Sequence, residues 1–136
     1  MEQQMNKIAV LLSSYNGYEY IEEQIDSICK QKNVDFTLYI RDDGSEKEFV
    51  ELLCGLQKKY DFKLLKEKNI GFLKSFMELL AAVDDADLYA FSDQDDIWSE
   101  SKLEIAEQWF QKQNSYDSIP LLYHSAYDLV ERGKKG

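Results

Sequence analysis

The chain has 136 residues, with 26 acidic and 16 basic side chains, a formal net charge of −10 and one histidine. Hydrophobic residues make up 44% and aromatics 13%, which excludes a disordered chain and suits one compact domain, 1–136. The negative balance would repel a nucleic-acid backbone, so no nucleic-acid partner is expected. No apolar run approaches the roughly 20 residues that span a bilayer, so no transmembrane segment is expected either.

The first segment, "KIAVLLS" (7–13), is a continuous apolar run of strand length. Its positive start amounts to Lys7 alone and no small-residue cleavage site follows, so it reads as a first strand and not as a signal peptide. Residues 20–31 place Ile21, Ile25 and Ile28 at helical spacing. "DFTLYIR" (35–41) is a strand by its β-branched and aromatic content. Residues 46–60 are helical by period, with Ser45 as the expected N-cap and Glu48 completing a capping box. A short strand at 62–66, an amphipathic helix at 71–83 and a buried strand at 86–92 follow. A helix over 101–113 begins near Ser99 or Ser101, and 119–130 reads as a last strand containing His124, a structural residue. Trp109 is expected to face the core, and Trp98 to pack beneath the loop it borders. Cys29 and Cys54 lie in the first two helical patterns and read as buried free thiols of a reducing cytoplasm.

The order βαβαβαβαβ, with near-continuous apolar strands, predicts a three-layer α/β/α domain with a mostly parallel sheet. Ligands bind such sheets at the carboxyl ends of the strands, where the strand order reverses. Three strands end there in polar bursts: Ser13, Ser14, Tyr15, Asn16 and Gly17; Asp42, Asp43, Gly44 and Ser45; and Asp93, Gln94, Asp95 and Asp96.

"SDQDD" is the sharpest of these. In an extended segment Asp93 and Asp95 point one way and Asp96 the other. Two unit charges about 4 Å apart repel by roughly 4 kcal/mol at an effective dielectric near 20. A divalent cation reverses that sign, and Mg²⁺ or Mn²⁺ suits carboxylate oxygens with substrate phosphates completing the shell. The absence of a His/Cys cluster argues against zinc. A solvated acidic turn is the plain alternative for each loop alone. Tyr15 suits stacking on a flat base. In "RDDGS", one Asp with Gly44 reads as a turn, and an Asp can accept from the N–H edge of a pyrimidine. Lys74, one turn into the third helix, reads as a phosphate or ribose contact, or as an ordinary solvated lysine.

Together, "VLLSSYNGYEYIEEQIDSI", "YIRDDGS", "KNIGFLKSF" and "YAFSDQDDIW" resemble the family 2 glycosyltransferases, and "SDQDDIW" followed by "SKLE" is similar to their rhamnosyltransferase-like branch. The resemblance implies a GT-A, Rossmann-like nucleotide-diphospho-sugar transferase fold. It also implies inverting transfer of a sugar from a UDP- or dTDP-linked donor to a saccharide acceptor, in cell-surface polysaccharide synthesis, in the cytoplasm at the inner face of the membrane. On this likeness Ser13, Tyr15, Asn16, Asp42, Asp43, Lys74 and Asp93 bind the nucleotide sugar. Tyr15 and Asp42 hold the base, Asp93 binds ribose or assists the metal, and Asp95 with Asp96 carries Mg²⁺ or Mn²⁺. The family's general base comes from a later, acceptor-binding half, and no residue here matches it. A truncated, donor-binding portion is therefore expected, able to associate with itself through an uncovered acceptor side.

Other classes fit less well. A D-x-D phosphohydrolase carries its pair on the first strand, and here it follows the fourth. A receiver domain needs acids on its first and third strands. An EF-hand loop needs glycine where Trp98 stands. A non-catalytic nucleotide-sugar or metal-binding module of the same fold is the remaining alternative.

Overall fold

In the computed structural model, residues 6–93 and 96–111 and the backbone of 121–124 are described. The elements are β1 (Lys7–Ser14), α1 (Ile21–Cys29), β2 (Asp35–Asp43), α2 (Lys47–Leu56), β3 (Lys63–Glu67), α3 (Phe72–Ala82), β4 (Leu88–Ser92), α4 (Lys102–Gln111) and β5 (Leu121–His124). Type and order match the periodicity; the ends differ by a few residues. Residues 112–120 and 125–136, where the last helix and strand were expected to continue, lie outside the described residues.

The five strands form one sheet in the order β3-β2-β1-β4-β5, and every pairing is parallel. β1 lies at its centre because its side chains are apolar on both faces, as a strand covered from both sides requires. On one face Ile8, Val10 and Leu12 pack with Ile21, Ile25 and Ile28 of α1, Phe49 and Leu53 of α2, and Leu103 of α4. On the other, Ala9 and Leu11 meet Phe76 and Leu79 of α3. The result is the expected three-layer α/β/α arrangement. At the outer edge β3 is five residues long, and its Lys63, Lys66 and Glu67 are exposed.

The chain runs outward from β1 to β2 and β3, then returns through α3 to β4 on the other side of β1. Strand order therefore reverses between β1 and β4. In sheets of this kind the ligand crevice lies at such a point, outside the carboxyl ends of the strands. Two expectations are corrected. Ser45 does not cap α2: the N-cap is Glu46, with no side-chain cap bond, because the Ser45 hydroxyl is drawn to Asp42 instead. Trp109 is 50% exposed, since α4 turns Leu103, Ala106, Glu107 and Phe110 inward; it rests edge-on against Phe110.

Candidate functional site

The registers bring the polar bursts to one rim. Ser13 lies beside Arg41 and Ser14 beside Asp42 across β1 and β2, and Leu12 lies beside Ser92 across β1 and β4. Of the expected residues, Ser13, Tyr15, Asn16, Asp42, Asp43 and Asp93 follow or end strands at this rim, and Lys74 is exposed in the first turn of α3. Asp95 lies outside the described residues.

Asp42 organises the first loop pair. It is 1% exposed, and its Oδ1 accepts from Ser14 Oγ at 2.9 Å and Ser45 Oγ at 2.6 Å. Its Oδ2 accepts from Ser45 N at 2.9 Å. Ser45 Oγ in turn accepts from Asn16 N at 2.9 Å, and Asn16 Oδ1 accepts from Glu46 N at 2.9 Å. A short polar side chain suits Asn16, whose φ is 48°. The chain of bonds locks the 14–17 turn against the 42–46 turn and leaves Tyr15 half exposed at the crevice. Beside it the Tyr18 hydroxyl donates to Glu46 at 3.3 Å. Desolvation first, and the Glu46 carboxylate second, hold that phenol above its ordinary pKa.

Asp43 organises the second pair. Its Oδ1 accepts from Arg41 NH1 at 2.7 Å and from Ile70 N at 2.9 Å, and its Oδ2 accepts from Gly71 N at 3.1 Å. Arg41 also donates to Ser75 Oγ at 3.0 Å and to the Lys68 carbonyl at 3.2 Å. Ser13 Oγ donates to Ser75 Oγ at 2.6 Å. Both charges of the Arg41–Asp43 pair are 4% exposed. The network fastens the 68–71 turn, and with it the start of α3 and Lys74, to the ends of β1 and β2. Gly44 is required here: its φ is 76°, and a Cβ would lie 2.6 Å from Asn69 N.

At the end of β4 the chain turns at once. Asp96 N donates to the Asp93 carbonyl at 3.1 Å; the alternation expected for 93–96 rests on Asp95, which lies outside the described residues. Asp96 is buried, and its Oδ2 accepts from the Trp98 indole at 3.3 Å. Trp98 is buried beneath the loop, as expected, with the Lys102 ammonium 5.2 Å from its ring centroid. Among the described residues no group of three or more His, Cys, Asp or Glu side chains is placed to hold a metal ion. The donor chemistry of Asp93 and Asp96, two carboxylates after a strand end, still suits a hard cation bound through one or two carboxylates.

Sequence reasoning did not single out Arg41, Ser75, Gln24, Ser27 or Gln31. Gln24 donates to Ser92 Oγ at 2.9 Å and to the Asp93 carbonyl at 2.6 Å. The readable signal was positional: Gln24 lies on the helix face of Ile21, Ile25 and Ile28, where a solvated residue has no place. Among the described residues no helix is long and apolar enough to cross a membrane.

The profile of "Glycosyl transferase family 2" matches residues 9–135. A dTDP-rhamnosyl transferase, RfbG, of Shigella flexneri is 36% identical over 133 residues, covering 90% of this chain and 46% of its own length. An uncharacterized glycosyltransferase, alr2836, of Nostoc is 29% identical, covering 95% of this chain and 39% of its own. The chain thus spans less than half the length of these curated relatives. Among solved structures, S. aureus TarS superposes with a TM-score of 0.69 at 24% identity, over 79% of this chain and 20% of its own. Its 1–349 portion in complex with UDP-GlcNAc gives 0.68 at 24% identity, over 78% and 31%. The structural likeness bears on the fold, a GT-A type nucleotide-diphospho-sugar transferase domain.

Proposed function

Because the chain belongs to glycosyl transferase family 2, we propose that it is the donor-binding portion of an inverting glycosyltransferase. The donor is a UDP- or dTDP-linked sugar and the acceptor a saccharide of a cell-surface polysaccharide, with the reaction on the cytoplasmic side of the membrane. One observation carries this reading: three separate strand-end loops, 13–17, 42–45 and 92–96, meet at the rim where strand order reverses. The dTDP-rhamnosyl transferase likeness and the UDP-GlcNAc held by TarS support the donor class.

In this reading Tyr15 stacks on the pyrimidine, with Ser13 and Asn16 lining the same turn. Asp42 meets the base N–H through Oδ2, which accepts one hydrogen bond among the described residues. Asp43 acts from behind, holding the turn from which Lys74 reaches ribose or phosphate. Asp93 binds ribose or the metal's shell. Asp95, with Asp93 or Asp96, would hold Mg²⁺ or Mn²⁺; the Asp96 carboxylate, which accepts from the Trp98 indole, would be the second ligand of choice. The cation, when bound, offsets the charge that grows on the departing nucleoside diphosphate. The chain's own part is to fix the donor so that the anomeric carbon faces the acceptor. The general base that activates the acceptor hydroxyl comes from residues beyond those described.

The test is calorimetric titration with UDP, dTDP and GDP, with and without Mn²⁺, on the wild type and Asp95→Asn. The pyrimidine diphosphates should bind and GDP should bind less tightly. Affinity should drop sharply without Mn²⁺ or in the variant. Metal-independent binding that is equal in Asp95→Asn contradicts the role given to Asp95.

A further inference from the structure

α1 carries two sets of buried residues. Ile21, Ile25 and Ile28 pack into the core, as an amphipathic helix demands. Gln24 and Ser27, three apart on α1, and Gln31, just past the helix end, are polar and yet buried. Every one of them holds the segment that follows β4. Gln24 Nε2 donates to Ser92 Oγ and the Asp93 carbonyl. Ser27 Oγ accepts from Trp98 N at 3.1 Å while donating to the Gln24 carbonyl at 2.8 Å. Gln31 Nε2 donates to the Ser99 carbonyl at 2.6 Å, and its Oε1 accepts from Leu103 N at 2.8 Å. Lys32 N adds a bond to the Glu100 carbonyl at 3.1 Å. α1 and the turn that follows it thus fasten 92–103 at points that bracket Asp95 in sequence on both sides.

Stability alone does not ask for this row. Gln24 is 1% exposed, and its Oε1 has no hydrogen-bond partner among the described residues. An orphaned buried acceptor is unfavourable, and a methionine of the same length would fill the space without one. What glutamine supplies and methionine cannot is a pair of N–H donors aimed at the turn where the acidic loop leaves β4. We propose that Gln24, supported by Ser27 and Gln31, is a positioning residue that sets the acidic loop for the donor's diphosphate. The inference rests on the reading of that loop as the diphosphate-binding edge. Gln24 touches neither nucleotide nor metal. It acts through the Ser92 hydroxyl and the Asp93 carbonyl, while the base is held independently by the Tyr15 turn across β1.

The experiment compares the wild type, Gln24→Met and Gln31→Met by calorimetry with UDP plus Mn²⁺ and with UMP, alongside thermal melting. Supporting groups behind metal-site ligands typically affect metal affinity about 10–100-fold, so Gln24→Met should weaken Mn²⁺-dependent UDP binding about 10-fold or more. UMP binding should be unchanged, and Gln31→Met should weaken UDP binding in the same direction by less. Retained UDP affinity in a folded Gln24→Met overturns the proposal, as does equal loss of UDP and UMP. Should Gln24→Met not fold, Gln31→Met decides by the same UDP-against-UMP comparison. A wild type that binds neither nucleotide overturns the nucleotide-sugar reading itself, an outcome distinct from a binding wild type with an unaffected variant.

Discussion

Asp43→Asn is the substitution whose effect the structure specifies most closely. Asp43 and Arg41 are 2.7 Å apart and each is 4% exposed, so water does not screen the pair. Removing the carboxylate charge leaves a guanidinium buried without its counter-charge, which typically costs about 3–5 kcal/mol. Asparagine keeps one acceptor oxygen for the Ile70 and Gly71 amides, so a smaller loss of up to about 1–3 kcal/mol adds to it if one amide is left unpaired. Against a total stability of about 5–15 kcal/mol for a domain this size, that is a large fraction. With a urea m value of about 2 kcal/mol/M, the unfolding midpoint should fall by roughly 2 M. The double variant Arg41→Met/Asp43→Asn should lose less than Asp43→Asn alone, because it no longer buries an unpaired cation. Equilibrium urea unfolding followed by far-UV circular dichroism measures both. A loss under about 1 kcal/mol in Asp43→Asn, or a double-variant loss no smaller than that of Asp43→Asn, would refute the assignment of this pair as the clamp of the 68–71 turn.

Two further outcomes are expected. Gly44→Ala places a Cβ 2.6 Å from Asn69 N at a φ of 76°, and should cost about 1–3 kcal/mol from strain alone, read as a lowered melting temperature without loss of the native near-UV signal. Tyr15→Ala should leave stability nearly unchanged, since the ring is half exposed, yet weaken UDP or dTDP binding by about 1–3 kcal/mol, the worth of one aromatic–base stack; calorimetry showing equal affinity removes Tyr15 from the base site.

The elements were legible because period and apolar content agree in every one of them: β1 is apolar on both faces and sits at the centre of the sheet, and α1 repeats its isoleucines at helical spacing. Gathering of the three polar bursts at one rim followed from alternation of strands and helices alone. What was not legible is which partner each polar group takes. Ser45 looked like a helix cap, but Asp42, three residues before it and bonded by Ser14 from 28 residues away in sequence, competes for its hydroxyl. Arg41 was not singled out because its partners, Ser75 and the Lys68 carbonyl, arrive from outside its own strand. Trp109 fell on the wrong side of α4 because a one-position error in phase turns a helical residue by about 100°.

The short outer strand carries a separate consequence. A row of unpaired backbone amides and carbonyls invites another polypeptide to add itself, and a sheet this apolar would be a good template for such growth. β3 answers with only five residues and with exposed Lys63, Lys66 and Glu67. Any copy approaching in register must place like charges side by side and strip water from ammonium groups, so fibrillar stacking is discouraged from that side at micromolar concentrations and above. Replacing Lys63 and Lys66 by β-branched apolar residues would turn this edge into a seed for aggregates.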